Sequence, residues 1–268
     1  MTLQTIFLDG IGLLGPGLTG WEQTREILLG NQPYIATPTL VPAAERLPAA
    51  ERRRVGIPVK VAMACGLEAA RHGNADVSDL ATVFSSAEAD CDNSHAILEA
   101  LASDDRALSP TRFHNSVHNA PAGYWGIATR SMRPSTSLNA YDATFAAGLL
   151  EAATQSCSNG LPCMLVAYDT AFPAPLLQHR PIPDAMGIAL VLNSVRTPSS
   201  LATLKLGLCE APVTTLAQRE LETLRSDIPV ARALPLLALL AHRRDGTVIV
   251  DYLDHLQMGI EVCNLTRT

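Results

Sequence analysis

Lysine is nearly missing from this chain: Lys60 and Lys205 are the only two among 268 residues. Twenty Lys plus Arg stand against 26 Asp plus Glu, a net charge of −6, so no basic stripe can neutralise a run of phosphates and nucleic acid is excluded as a partner. Charged residues reach only 17% and aromatic ones 4%, against 47% hydrophobic. Burial must therefore come from Ala, Leu and Val on regular elements, and disorder is excluded. Long apolar runs are lacking too. The longest, residues 234–241, falls far short of the ~18 residues a membrane span needs, and no cationic segment precedes the apolar N-terminus. A soluble, unexported protein is expected. The six cysteines (Cys65, Cys91, Cys157, Cys163, Cys209 and Cys263) form no C-x-x-C pair and sit among apolar neighbours, the usage of a reducing compartment, so the expected location is cytoplasmic. So little charge beside so much Ala and Leu also points to a permanent partner that covers apolar surface.

At about 150 residues per domain, the length suits one large domain with appendages. Residues 3–14 read as a buried strand ended by Gly15, Pro16 and Gly17, and 21–29 as a short helix closed by Gly30. A proline-bearing connection with the Arg52, Arg53, Arg54 cluster follows, then a helix over 59–72 and a strand over 80–86. Asp92 or Asn93 is expected to cap a helix through Ala102. Ser109 and Pro110 open another through about Val117, followed by a helical stretch over 121–129. A short strand over 135–140 runs into an apolar helix over 143–156 that ends at Asn159 and Gly160. Strands over 163–168, 185–192 and 201–208 complete an alternation that predicts a three-layer α/β core. From Thr214 the pattern changes to helices over 216–224 and 230–242, a turn at Arg244, Asp245 and Gly246, and strands beyond.

Three motifs invite chemistry. Gly10, Gly12 and Gly15 spell G-x-G-x-x-G, but Pro16, Gly17 and Gly20 break the chain where a dinucleotide site needs a helix to begin, so a tight strand exit is expected instead. His114 with His118, and Cys91 with His95, stand four residues apart as metal ligands do on a helix. Neither pair has a second ligand cluster, so polar or capping roles are expected and no metal. The third is the strand-to-helix turn before residue 143, which sets one side chain at a helix N-terminus, where an anionic nucleophile would be stabilised. That residue is Asp142, and an N-cap carboxylate accounts for it.

The residues around this turn resemble the N-terminal half of a β-ketoacyl synthase, one of the thiolase-like condensing enzymes. Residues 7–16 (FLDGIGLLGP) resemble the family's first strand and glycine turn. Ser109-Pro110, Phe113 and the run from His118 to Gly123 resemble the approach to the active-site strand, and Arg133-Pro134-Ser135 the opening of the nucleophile strand. The likeness covers about residues 3–195 as an ordered set.

The resemblance implies a truncated thiolase-like α/β fold, layered αβα(βα), with residues 1–210 as the synthase-like N-terminal half. Residues 211–268 are then a helix-strand extension on the same core. It also places Asp142 where the family's acyl-accepting cysteine stands, and a carboxylate cannot form the thioester. The family's His-Gly-Thr-Gly-Thr motif is missing as well: His242 is followed by two arginines and His255 by Leu256, and Lys205 falls in an expected strand. The implied protein is a chain-length factor with no catalytic residues and no cofactor. It would pair with an active ketosynthase, meet the acyl carrier protein through that complex, and shape the acyl tunnel in aryl-polyene, polyketide or fatty-acid-like synthesis. Phe113, Val117, Tyr124, Trp125, Tyr141 and Phe145 are the expected tunnel and interface residues. The alternatives are a condensing or decarboxylating subunit that uses Asp142, and a scaffold that only keeps the synthase soluble.

Overall fold

The computed structural model describes residues 2–265. The first part of the chain holds β1 (Thr2–Gly15), β2 (Leu18–Thr19), α1 (Trp21–Leu28), α2 (Ala49–Arg52), α3 (Ile57–His72), β3 (Ala81–Ser85) and α4 (Cys91–Ala102). The middle holds α5 (Pro110–Asn115), α6 (Ala120–Thr129), β4 (Ser135–Leu138), α7 (Thr144–Asn159), β5 (Cys163–Asp169), α8 (Ala174–Leu177) and β6 (Met186–Asn193). Then come β7 (Ala202–Cys209), α9 (Arg219–Asp227), α10 (Leu234–Ala241), β8 (Gly246–Leu253) and β9 (Leu256–Asn264). Among the described residues, no helix is long and apolar enough to cross a membrane.

Among the described residues, all nine strands join one mixed sheet in the order β4-β3-β5-β6-β1-β7-β9-β8, with β2 folded back on the end of β1. The β4, β3 and β5 neighbours are parallel and the rest antiparallel. β1 is shared: residues 2–8 pair with β7, while residues 7–14 pair with β6.

A bulge between Leu8 and Gly10 interrupts the β6 register. Inserting one residue flips the side-chain alternation. Ile6 and Leu8 before it, and Ile11 and Leu13 after it, consequently all reach the same core, which α7, α9 and α10 cover. The opposite face then receives Gly10 and Gly12. There α3 lies directly on the strand, with the Gly10 position against Ala69 and Gly73 and the Gly12 position against Cys65 and Ala69. Gly10 and Gly12 thus sit inside a strand that runs to Gly15, where the chain turns tightly back into β2 as expected. They serve close helix packing.

Beyond Leu8, β7 no longer runs alongside β1, and the freed backbone donors need partners. α3 supplies them from side chains. The Leu13 amide donates to Glu68 Oε2 at 2.9 Å and the Ile11 amide to His72 Nδ1 at 3.1 Å. The other oxygen of Glu68 accepts from the amide of Trp21 at the start of α1, at 2.6 Å. One carboxylate thereby closes a strand edge and a helix end. On this face a second core gathers Phe84, Trp125, Met164, Val166 and Tyr168 under α3 and α6.

Most expected elements recur with shifted ends. The helix expected from Leu216 begins at Arg219, and the one expected over 230–242 is split into a 3-10 segment, Pro229–Ala233, and α10. The cap of α4 is Asp90, whose side chain accepts from the Asn93 amide at 3.0 Å, rather than Asp92 or Asn93.

Candidate functional site

Parallel strands β3, β4 and β5 end on the same side of the sheet, and the loops that leave them build the site, the usual place for one in an open α/β sheet. After β4 the chain passes through a 3-10 turn, Tyr141–Ala143, before α7 begins. Tyr141 carries φ +51°, a left-handed backbone costly for an aromatic residue. Thr144 closes the turn: its Oγ1 donates to the Tyr141 carbonyl at 2.7 Å and accepts from the Ala140 amide at 3.4 Å.

Asp142 does not cap α7. The capping residue is Ala143, which makes no side-chain bond, so the expected N-cap role is corrected. Asp142 turns instead to two arginines. Arg180, in the loop after α8, donates from Nη2 to Oδ1 at 2.5 Å, and Arg232, in the 3-10 segment before α10, donates from Nη2 to Oδ2 at 3.0 Å. Arg232 also holds the Asp142 carbonyl through Nη1 at 2.9 Å. Both guanidinium side chains are largely buried, 16% and 17% exposed, while the carboxylate is 39% exposed. The Arg180 guanidinium lies 3.6 Å above the centre of the Tyr141 ring, which fixes the plane from which it bonds.

The pairing continues outward on both sides. Arg180 also meets Glu88 at 3.2 Å, and Arg232 approaches Asp251, which in turn meets Arg225 at 3.4 Å, itself paired with Glu222 at 2.7 Å. Beneath this chain of charges lies Asp169 at the end of β5. It is fully buried and accepts from the Ala87 amide at 2.9 Å and the Val230 amide at 2.8 Å. Burial pushes its carboxyl up to about 7, a rise that the two amides and Arg180 oppose. An open cleft of about 760 Å³ lies above, between the turn at 140–143 and the β8–β9 hairpin, with Asp142, Arg232 and Asp251 in its wall.

The expected tunnel residues separate into two groups. Phe113, Val117 and Tyr141 are exposed, at 66%, 51% and 59%. Tyr124, Trp125 and Phe145 are buried in this chain's own cores. Tyr124 packs in a small cluster with Val59 and Met63 and donates to Asn115 Oδ1 at 3.0 Å. Trp125 meets Phe84 edge-on at 6.3 Å and covers Gly66, while Phe145, in the first turn of α7, is buried in the main core. The histidine pairs are not gathered with further ligands: among the described residues no group of three His, Cys, Asp or Glu could hold a metal ion. His95 pairs with Glu99 at 3.3 Å, and His114 meets the Tyr124 ring edge-on.

Sequence reasoning missed Arg180 and Arg232. The second had a legible signal, a lone charge inside the apolar run 228–241, where a buried guanidinium demands a partner. Arg180 had none, since its loop is local only to itself and comes to Asp142 through the fold.

This layered α/β architecture, with a strand-turn-helix at the ends of parallel strands, is that of the thiolase-like ketosynthase N-terminal domains. The chain belongs to that family: the model of the β-ketoacyl synthase N-terminal domain matches residues 21–250. Among solved structures, it resembles a chain of the ketosynthase in complex with its chain length factor from Xenorhabdus doucetiae. There the TM-score is 0.74 at 21% identity, over 97% of this chain and 100% of that one. The ishigamide ketosynthase/chain length factor gives 0.72 at 13% identity over 98% and 100%. A type II polyketide acyl-carrier protein in complex with its ketosynthase gives 0.75 at 11% identity over 98% and 99%. No curated protein sequence matches the chain.

Proposed function

We propose that this chain is a chain-length-factor-type subunit, catalytically silent, that pairs with an active ketosynthase and bounds the acyl tunnel of the pair. Asp142 carries the reading. It stands where the family's nucleophile is expected and offers oxygen in place of a thiol, with each carboxylate oxygen already taken by a guanidinium. The length match to chains from ketosynthase/chain length factor complexes supports the same reading.

β4 is a terminal strand of the sheet, and Phe113, Val117 and Tyr141 are large apolar side chains left exposed near it in the chain's order. In the proposed pair this side meets the ketosynthase, while Tyr124, Trp125 and Phe145 support it from within. The mechanism is exclusion of volume. Forcing extra methylenes against a filled wall costs about 1–3 kcal/mol, enough to end elongation at one length. The carrier protein reaches the chain through the complex, in the cytoplasm, and the product is of the aryl-polyene, polyketide or fatty-acid-like kind.

Co-expression with an active ketosynthase, followed by gel filtration and the mass of the carrier-bound product, tests the proposal. A heterodimer whose condensing activity survives Asp142→Asn is expected. Loss of condensation with the heterodimer intact would transfer the reading to a subunit whose Asp142 charge takes part. A ketosynthase that is soluble alone and makes product of the same length would remove the accessory role.

A further inference from the structure

We propose that Arg180 and Arg232 form a carboxylate-binding site that the chain fills with its own Asp142. Native protein then refuses free carboxylates there, and a chain relieved of that side chain takes one up. The two guanidiniums come from segments far apart in sequence, the loop after α8 and the 3-10 segment before α10, and each takes one oxygen of the same carboxylate. A carboxylate held oxygen by oxygen between guanidiniums is how proteins recognise free acids, since each N–H···O bond is charge-assisted and directional. Here the acid is tethered.

The cations are fixed by contacts of their own. Arg180 is stacked on Tyr141 and bonded to Glu88, and Arg232 is oriented by its second nitrogen on the Asp142 carbonyl and by Asp251 nearby. The carbonyl bond is to backbone and outlasts any change of side chain. Deleting the Asp142 carboxylate therefore leaves two largely buried positive groups facing one vacated position, with Glu88, Asp251 and the buried Asp169 as the remaining acidic groups. The open cleft of about 760 Å³ that Asp142 and Arg232 line gives a small acid a route in and leaves space for a substituent beyond its carboxyl group.

The fragment removed names the probe. Asp142→Ala deletes a carboxylate, whose free counterpart is formate; Asp142→Gly deletes an acetate. Full-length chain, or its complex, is melted in rising sodium formate or acetate against sodium chloride at equal ionic strength. A ligand bound only by the folded state stabilises it by RT ln(1 + [L]/Kd), so the melting point climbs with the logarithm of ligand concentration once that exceeds Kd. Each variant is expected to show a concentration-dependent rise of roughly 2–4 °C in its matching acid and none in chloride, with the native chain flat in both. Arg232→Met added to Asp142→Ala is expected to abolish the rise. If the variants do not accumulate folded, their refolding yield from urea in formate or acetate against chloride reads the same quantity. Equal responses to carboxylate and chloride, an equal rise in the native chain, or a rise that survives Arg232→Met would each overturn the proposal. These outcomes do not depend on whether the chain pairs with a ketosynthase, so the two proposals fail separately.

Discussion

Gly12 and Ala69 touch so closely that a methyl group on Gly12 would come within 2.7 Å of the Ala69 amide nitrogen. Both are backbone neighbours, so nothing at the far end of a side chain can yield. Gly12→Ala is expected to push α3 off the sheet and cost about 3 kcal/mol, read from the urea midpoint of the purified chain. An unchanged midpoint would mean that α3 does not rest on β1 as described.

Glu68 serves two backbone donors, the amides of Leu13 and Trp21. Glu68→Ala orphans both, at about 1–3 kcal/mol each, while Glu68→Gln retains one acceptor and should lose about half as much. Hydrogen exchange at Leu13 and Trp21 is the direct measurement. Protection that is unaffected at both amides in Glu68→Ala would contradict the edge-closing role.

Asp169 gives the chain a pH dependence of known sign. Its carboxyl titrates near 7 when folded and near 3.8 when unfolded, so the native state holds the proton more tightly. Its contribution to stability is complete below about pH 4 and lost as pH rises through 7, at up to about 1.4 kcal/mol per unit. Asp169→Asn removes that slope, at a fixed cost of about 1–3 kcal/mol, because an amide has one acceptor for two N–H donors. Melting points of native and variant should converge as pH rises from 4 and cross before pH 7, the variant then being the more stable. Parallel curves would refute the assignment.

Trp125 and Phe113 should behave oppositely. Trp125→Ala empties a site between Phe84 and Gly66 and is expected to cost about 3–5 kcal/mol in the chain by itself. Phe113→Ala, at an exposed position, should leave stability within about 0.5 kcal/mol while lengthening the product of the co-expressed complex. An unaltered product distribution would exclude Phe113 from the tunnel wall.

These contrasts mark what the sequence made legible. β1, α3, β5 and β6 are long and apolar, with ends marked by Gly15, Gly73 or Gly160, so their existence could be read directly. The bulge at Leu8 and Gly10 could not, because the parity of a strand follows from its partner β6, some 180 residues later. The same holds for the site. Asp142 was visible from its local turn, but its arginines lie 38 and 90 residues away, and the short turn suggested an N-cap. Which large apolar residues are inside was also hidden: Tyr124 and Phe113 look alike in sequence, and only α3 and the connection holding Ala44, Leu47 and Val55 decide that one is covered.

Because residues 2–8 of β1 bond to residues 202–207, that edge of the strand waits for a partner made about 200 residues later. Until β7 has been synthesised, and β9 behind it, an apolar ribbon has one bare flank in the growing polypeptide. Such a topology folds late and slowly, and leaves the nascent molecule dependent on whatever else in the cell can shelter that flank meanwhile.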